Sequence, residues 1–188
     1  MKDTTFNQET KEKWISIMQL HQDMDRLVQG DWLTGNVGGM KSGCFFGCAM
    51  QSSDNALEMA IFEMNLPGWL VYLAEKIFEG LPEGDAIAFP VQLLKSIPVN
   101  SDISSLEHTI AIERLTGLIN VSNGEKVNLA IKLAIDYHAN PSPTARLAAR
   151  SAARSAAWSA ESAESAAESA AWIQERDRLI IGLIGFKL

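Results

Sequence analysis

The sequence contains little of what several protein classes require. Among its 188 residues there are two cysteines, Cys44 and Cys48, which stand only four positions apart. Disulfide-rich folds need more cysteines, so a disulfide framework is excluded and a reducing compartment is expected. No apolar run approaches the roughly 20 residues of a membrane span, and the first residues lack the apolar core of a signal peptide. The sequence therefore predicts a cytoplasmic protein.

Positive charge is also scarce. The net charge is −7, and residues 1–143 carry 10 basic against 18 acidic side chains. Proteins that bind duplex nucleic acid neutralise its phosphates with many lysines and arginines. An acidic chain without a basic stretch therefore argues against nucleic acid as a partner. With three histidines in the whole chain, imidazole ligands for a zinc site are few.

Alanine and serine are abundant near the C-terminus. The serines of this segment recur at a mean step of 3.6 residues, which is one turn of an α-helix. They are Ser151, Ser155, Ser159, Ser162, Ser165 and Ser169. A single helix from Thr144 to about Ile181 would be roughly 55 Å long. Its side chains are too small to close a core alone, so we expect it to bring another backbone close.

The charged residues of this segment indicate self-association. In an antiparallel twofold pairing, Arg150 would face Glu168 and Arg154 would face Glu164. The predicted interface consists of Arg146, Arg150, Arg154, Trp158, Glu164, Glu168 and Trp172. The alternative is a solvated helix that packs back on its own chain, because exposed ion pairs contribute only about 0–1 kcal/mol each.

Helical spacing predominates along the rest of the chain. It predicts helices over about 8–29, 53–64, 67–80, 90–97, 105–120 and 125–138. Gly30 is the expected stop of the first helix. The six glycines between residues 30 and 47 predict a loop or a small irregular sheet.

The predicted fold class is therefore all-α. Residues 1–140 are expected to form a compact helical body that contains the Gly-rich loop 30–47. Residues 141–188 are expected to form a long Ala/Ser-rich helix with an apolar terminus, which serves oligomerisation.

The Gly-rich loop and its neighbours contain most of the candidate binding residues. Two pairs, His21 with Asp25 and Glu75 with Glu79, have the i, i+4 spacing of one helix face. An indole can stack on a ring, and a lysine beside glycine amides can hold an anion. The predicted ligand-binding residues are His21, Asp25, Trp32, Lys41, Cys44, Cys48, Glu75 and Glu79. No catalytic residue, metal or cofactor is predicted.

Each group also has a simpler structural interpretation. His21 and Asp25 could simply share a local hydrogen bond, and Glu75 and Glu79 could simply belong to a solvated acidic surface. Two thiols at C-x-x-x-C spacing supply half of a zinc site and lack the C-x-x-C spacing of a redox pair. They also fit as small buried residues beside glycines where the backbone packs tightly. Met40 before Lys41 departs from a P-loop, which has glycine there.

Three strings taken together resemble a family of uncharacterised proteins from phages, prophages and bacterial genomes. The strings are His21-x3-Asp25-x4-Gly30-x-Trp32, Lys41-x-Gly43-Cys44-x2-Gly47-Cys48 and Ile77-Phe78-Glu79-Gly80-Leu81-Pro82. The resemblance covers roughly residues 10–100, and members of the family often end in a similar Ala/Ser repeat. Such a tail is of low complexity and indicates no particular function.

The resemblance implies a function only at the level of class. Small phage proteins are frequently counter-defence factors, and some of them are oligomers that sequester nucleotide immune signals. A non-enzymatic sponge for a small nucleotide-like signal, acting in the host cytoplasm, is therefore the leading expectation. One alternative is an adaptor that acts through the alanine-rich helix. The other is a metal- or thiol-dependent hydrolase that uses His21, Asp25, Cys44 and Cys48.

Overall fold

The computed structural model describes residues 6–37, 40–119, 125–157 and 165–186. Within these ranges the chain forms nine α-helices and one two-stranded hairpin, so the fold is all-α, as predicted. In chain order the elements are α1 (Gln8–Asp23), β1 (Thr34–Val37), β2 (Met40–Ser42), α2 (Phe45–Met50), α3 (Ala56–Met64), α4 (Gly68–Gly80), α5 (Glu83–Ser96), α6 (Leu106–Ile119), α7 (Glu125–Ala139), α8 (Pro143–Ala157) and α9 (Ser165–Gly185). None of the described helices is long and apolar enough to cross a membrane.

The chain divides into two compact units. The first comprises Met1–Ser104 together with Glu168–Leu188, and the second comprises Ser105–Ala167. The predicted boundary near residue 140 falls inside the second unit. The first unit therefore contains both the N-terminal helices and most of the C-terminal helix.

Apolar side chains from α1 to α5 and from α9 form the core of the first unit. Its largest fully buried side chains are Phe45, Phe46, Phe78, Phe89, Met18, Met64, Leu70, Ile77, Leu93, Leu94, Ile97 and Leu179. The rings of Phe45 and Phe46 stack at 4.1 Å between centroids. Burial of each such side chain stabilises the fold by roughly 1.5–3 kcal/mol.

The first helix ends earlier than its spacing predicted. Helix α1 stops at Asp23, and Asp25 has a left-handed backbone with φ 50°. Beyond it, the Val28 N–H donates to the Gly43 carbonyl and the Gly43 N–H donates to the Arg26 carbonyl, both at 2.9 Å. These tertiary bonds override the local helical preference. Gly30, the predicted stop, lies in the following loop with φ 86°.

The Gly-rich segment forms a hairpin followed by a short helix. Strands β1 and β2 pair antiparallel, with Thr34 opposite Ser42, which agrees with the small irregular sheet that the glycines predicted. Helix α2 was not predicted, because its 6 residues are too few for a helical period to show.

Helix α5 is longer than predicted. It begins at Glu83 and contains Pro90 in its interior, whereas the sequence placed Pro90 at the start of the helix. Proline lacks the N–H that would bond to the preceding turn. The helix continues through it because Ala86, Phe89 and Pro90 are all buried.

Helix α9 packs on the first unit. Leu179 and Leu183, in its apolar C-terminal part, are buried. Arg176 Nη1 lies 2.6 Å from Asp85 Oδ1 of α5. The Trp172 indole lies against Gly80, where a side chain would collide with it.

The second unit consists of α6, α7 and α8, with α7 packed against both of the others. Ala145, Ala149 and Ala152 of α8 are partly covered and have the spacing of one helix face, whereas Leu147 is 68% exposed. The small side chains of α8 therefore allow its backbone to approach the backbone of α7 in the same chain. The single helix predicted from Thr144 to Ile181 includes residues 158–164, which lie outside the described residues.

Candidate functional site

A pocket of about 230 Å³ in the first unit is lined by several ionisable side chains. It is lined by Gly30, Asp31, Trp32, Cys44, Leu57, Tyr72, Glu75, Lys76 and Glu79. Trp32, Cys44, Glu75 and Glu79 belong to the predicted ligand-binding set, so the fold brings half of that set together. A larger groove of about 620 Å³ near Phe6 has a mainly apolar lining and includes none of the predicted residues.

One face of α4 supplies the polar wall of the pocket. Tyr72, Glu75, Lys76 and Glu79 follow the i, i+3, i+4, i+7 spacing that places side chains on one helix face. Tyr72 and Lys76 were missed in the sequence, although this spacing was a usable signal. Asp31 was also missed, and its place in the pocket depends on loop packing that has no local signature.

Two glycines position the loop that carries Trp32. A Cβ atom at Gly43 or at Gly47 would overlap the Trp32 backbone carbonyl, so glycine at both positions admits that carbonyl. The Cys44 N–H donates to the Asp31 carbonyl at 2.7 Å, and the Cys44 thiol lies 3.7 Å from the Trp32 carbonyl oxygen. The G-C-x2-G string thus holds the loop against the start of α2.

The other side of this loop is bound to the end of α4. The Gly30 N–H donates to Glu79 Oε2 at 2.7 Å. The Gln29 side-chain amide donates to the carbonyls of Phe78 and Leu81 at 2.6 and 2.8 Å. The loop is therefore attached to both α2 and α4, which places the acidic face of α4 beside Cys44.

Glu75 is the most unusual group in the pocket. Glu75 is only 7% exposed, and its Oε2 atom has no hydrogen-bond partner among the residues that the structure describes. Burial, with a smaller contribution from Glu79, raises the pKa of Glu75 to about 7, and hydrogen bonding from Cys44 and Phe46 offsets part of this. The carboxyl therefore changes charge near neutral pH.

Cys44 lies next to this carboxyl. Its Sγ atom and one oxygen from each of Glu75 and Glu79 all lie within 4.8 Å of one another. Burial and the neighbouring Glu75 raise the pKa of the Cys44 thiol far above its usual value. Among the described residues, these three side chains form the one group with the proximity expected of metal ligands.

Cys48 has a different environment. Its thiol lies 3.3 and 3.4 Å from the carbonyl oxygens of Gly43 and Arg26, and it does not line the pocket. Burial raises the pKa of this thiol to about 11. Cys48 is thus buried beside the backbone of Gly43 and Arg26, away from the pocket.

The other predicted ligand-binding residues also lie away from the pocket lining. His21 is buried, its Nε2 atom lies 3.2 Å from the Gln51 side-chain nitrogen, and burial lowers its pKa. Asp25 is exposed beyond the end of α1, so the expected shared helix face with His21 does not form. Lys41 is exposed on β2.

The predicted interface residues are only partly described. Arg146 and Arg150 are exposed on α8, in the second unit. Trp172 packs against Gly80 of its own chain. Trp158 and Glu164, and the side chains of Arg154 and Glu168, lie outside the described residues.

The carboxylates of the pocket outnumber its cations. Asp31, Glu75 and Glu79 line it together with a single amine, that of Lys76. No protein-family model, curated protein or solved structure matches this chain. The resemblance to a phage and bacterial family stays a prediction, and the chemistry of this pocket is the basis for a functional conclusion.

Proposed function

We propose that this protein is a non-enzymatic binding protein whose pocket accepts a small, positively charged ligand. The proposal depends above all on Glu75, which lines the pocket and has a buried carboxyl oxygen without a hydrogen-bond partner among the described residues. A buried polar atom without a partner costs free energy, and a bound cation removes that cost by pairing with it.

The rim of the pocket supports an organic ligand of modest size. Trp32 and Tyr72 line it and are 44% and 49% exposed, so part of each ring is open to solvent. Aromatic faces attract cations and stack on planar groups. A ligand with an amine or guanidinium and an apolar portion would satisfy both the carboxylates and the rings.

The charge of the pocket distinguishes this proposal from the nucleotide-like ligand expected from the sequence. Among the described lining residues, Asp31 and Glu79 outnumber the amine of Lys76, and ionised Glu75 adds a further negative charge, so the pocket repels phosphate. Lys41, the residue expected to hold an anion, is not part of the pocket lining. A counter-defence role rests on the family resemblance alone and does not specify the ligand.

The environments of Cys44 and His21 favour binding over thiol-dependent hydrolysis. A cysteine nucleophile acts as the thiolate, and the raised pKa of Cys44 keeps it as a thiol at neutral pH. Its nearest titratable partner is the carboxyl of Glu75, while the His21 ring is adjacent to Gln51.

Calorimetry on EDTA-treated protein tests the sign of the ligand charge. Tyramine and agmatine represent amines and guanidines, and cyclic mononucleotides and ADP-ribose represent phosphorylated signals. We expect saturable binding of at least one amine or guanidine and none of the nucleotides. Glu75→Gln should weaken that binding at least tenfold, because it removes the buried charge, whereas Lys41→Ala should leave it unchanged.

The same titrations can contradict the proposal. Nucleotide binding that is lost in Lys41→Ala would support the phosphorylated ligand instead. Amine binding that is equally strong in Glu75→Gln would show that the pocket is not responsible.

Self-association through the alanine-rich segment is the second part of the proposal. Arg146, Leu147 and Arg150 are exposed on α8 and are therefore accessible to a second copy of the chain. The Trp172 indole packs within its own chain, so the proposed pairing uses the arginine and glutamate positions.

Multi-angle light scattering tests this pairing. We expect a dimer at micromolar concentration, weakened roughly tenfold by Arg150→Glu because two exposed ion pairs become repulsive. Lys126→Glu, an exposed charge reversal on α7, serves as the control and should leave the dimer intact. A single-chain mass at all concentrations would contradict the pairing.

A further inference from the structure

Three potential ligand atoms for a metal ion meet in the pocket. They are Cys44 Sγ at the start of α2 and one carboxyl oxygen from each of Glu75 and Glu79 on α4, all within 4.8 Å of one another. Donor atoms around one tetrahedral Zn²⁺ stand roughly 3–4 Å apart, since Zn–S is about 2.3 Å and Zn–O about 2.0–2.2 Å. Small side-chain rotations would bring the three atoms to that spacing.

We infer that Cys44, Glu75 and Glu79 bind a thiophilic divalent metal ion, for which Zn²⁺ is the representative. This inference rests on the proposed function, because it assigns a metal ion to the same cation-binding carboxyl groups. The sulfur donor decides the class of metal. Mg²⁺ and Ca²⁺ take oxygen ligands, whereas a thiolate selects softer ions such as Zn²⁺.

The burial of Glu75 is the observation that separates this cluster from an ordinary acidic surface. Glu75 is only 7% exposed, and one of its carboxyl oxygens lacks a hydrogen-bond partner among the described residues. Ionising three neighbouring acids in so small a volume is costly without a counter-charge. A dication bound to Cys44, Glu75 and Glu79 supplies that charge.

The surrounding contacts hold the three side chains in place. Glu79 accepts the Gly30 N–H at 2.7 Å, and the Cys44 N–H donates to the Asp31 carbonyl at 2.7 Å. Glu75 is one of the buried residues of α4. Three protein ligands leave a fourth position for water or for a ligand that enters through the pocket.

Cys48 provides a matched control within the same motif. Like Cys44 it is buried and part of the G-C-x2-G-C string, but its thiol contacts the carbonyls of Arg26 and Gly43. A variant at Cys48 therefore removes a buried thiol without removing a proposed metal ligand.

Metal binding by the reduced, EDTA-treated 188-residue chain tests the inference. Zn²⁺ affinity is measured by competition with a chromophoric chelator, and Co²⁺ is added to look for the near-ultraviolet charge-transfer band of a cobalt–thiolate bond. We expect one ion per chain and the thiolate band. Cys44→Ser should abolish the band and lower the affinity at least hundredfold, which exceeds the roughly 10–100-fold effect of losing an outer-shell partner. Cys48→Ser should retain both properties.

A third variant separates ligand loss from general damage. Glu79→Gln keeps an acceptor for the Gly30 N–H but loses the charge, and it should lower Zn²⁺ affinity at least tenfold. Far-ultraviolet circular dichroism and urea unfolding establish that each variant is folded.

Several outcomes would overturn the inference. They are the absence of stoichiometric Zn²⁺ binding, unchanged binding in Cys44→Ser, or equal loss in Cys48→Ser. Amine binding without Zn²⁺ binding would overturn this inference and leave the proposed function standing. Zn²⁺ binding without amine binding would support the inference and restrict the proposed function to metal. Neither kind of binding would overturn both.

Discussion

Glu75→Gln is expected to stabilise the protein at alkaline pH by up to about 3 kcal/mol in the free energy of unfolding. Burial raises the pKa of Glu75 from 4.5 to about 7 in the folded chain. Between these values the folded state holds the proton more tightly than the unfolded state does. The wild-type protein therefore loses stability as pH rises from 4.5 through 7, whereas the amide has no proton to lose.

Urea unfolding followed by tryptophan fluorescence, at pH 5 and pH 8 in EDTA, measures this effect. The advantage of the variant should be less than about 1 kcal/mol at pH 5 and should grow to its full size at pH 8. Glu63→Gln, an exposed position on α3, should change stability by less than about 0.5 kcal/mol at both pH values. Parallel pH profiles for wild type and Glu75→Gln would contradict the burial cost assigned to this carboxyl.

Such a result would have a functional meaning. A protein that keeps a destabilising charge inside a pocket trades stability for the ability to bind. The Glu75→Gln substitution should therefore stabilise the fold and, at the same time, weaken cation binding.

Gly47→Ala is expected to destabilise the protein by about 3 kcal/mol, at the upper end of the usual cost of overpacking. The added Cβ atom would overlap the backbone carbonyl of Trp32. A backbone group cannot rotate away as a side chain can, so the loop or helix α2 must shift. Because that loop forms one wall of the pocket, amine and Zn²⁺ affinities should fall as well.

Gly84→Ala is the matched control for this prediction. Gly84 lies in α5, and a Cβ atom there would have no described residue within 4 Å. Alanine is the better helix former by up to about 1 kcal/mol, so this variant should be neutral or slightly more stable. Equal unfolding free energies for Gly47→Ala and wild type would show that the loop does not pack as described.

Much of the helical architecture could be predicted because helical period is a local property. The spacing of apolar residues predicted a helix over 67–80, and the structure has α4 at Gly68–Gly80. It failed for residues 24–28, where backbone bonds to Gly43 compete with the helix. It also failed at Pro90, where burial of neighbouring side chains outweighs a lost hydrogen bond.

The candidate site was predictable in its members but not in its arrangement. Trp32, Cys44, Glu75 and Glu79 were selected from residue type and spacing, and these four line one pocket. Lys41 and Cys48 were selected on the same grounds and lie elsewhere. Residue type shows which chemistry is available, while proximity depends on how the loop folds between α2 and α4.

Composition and periodicity were sufficient to establish a helical, acidic chain, because each depends on residues near one another in sequence. The burial of Glu75 could not be predicted from the sequence, because it depends on contacts between α2 and α4, which are distant from each other along the chain. The proximity of His108 and His138, whose Nδ1 atoms lie 3.0 Å apart, also depends on the tertiary structure, because the two residues are 30 positions apart in the sequence. The scarcity of positive charge and the helical period can be read from short stretches of sequence. The pKa of a carboxyl depends instead on its burial and on the charges that the tertiary structure places near it.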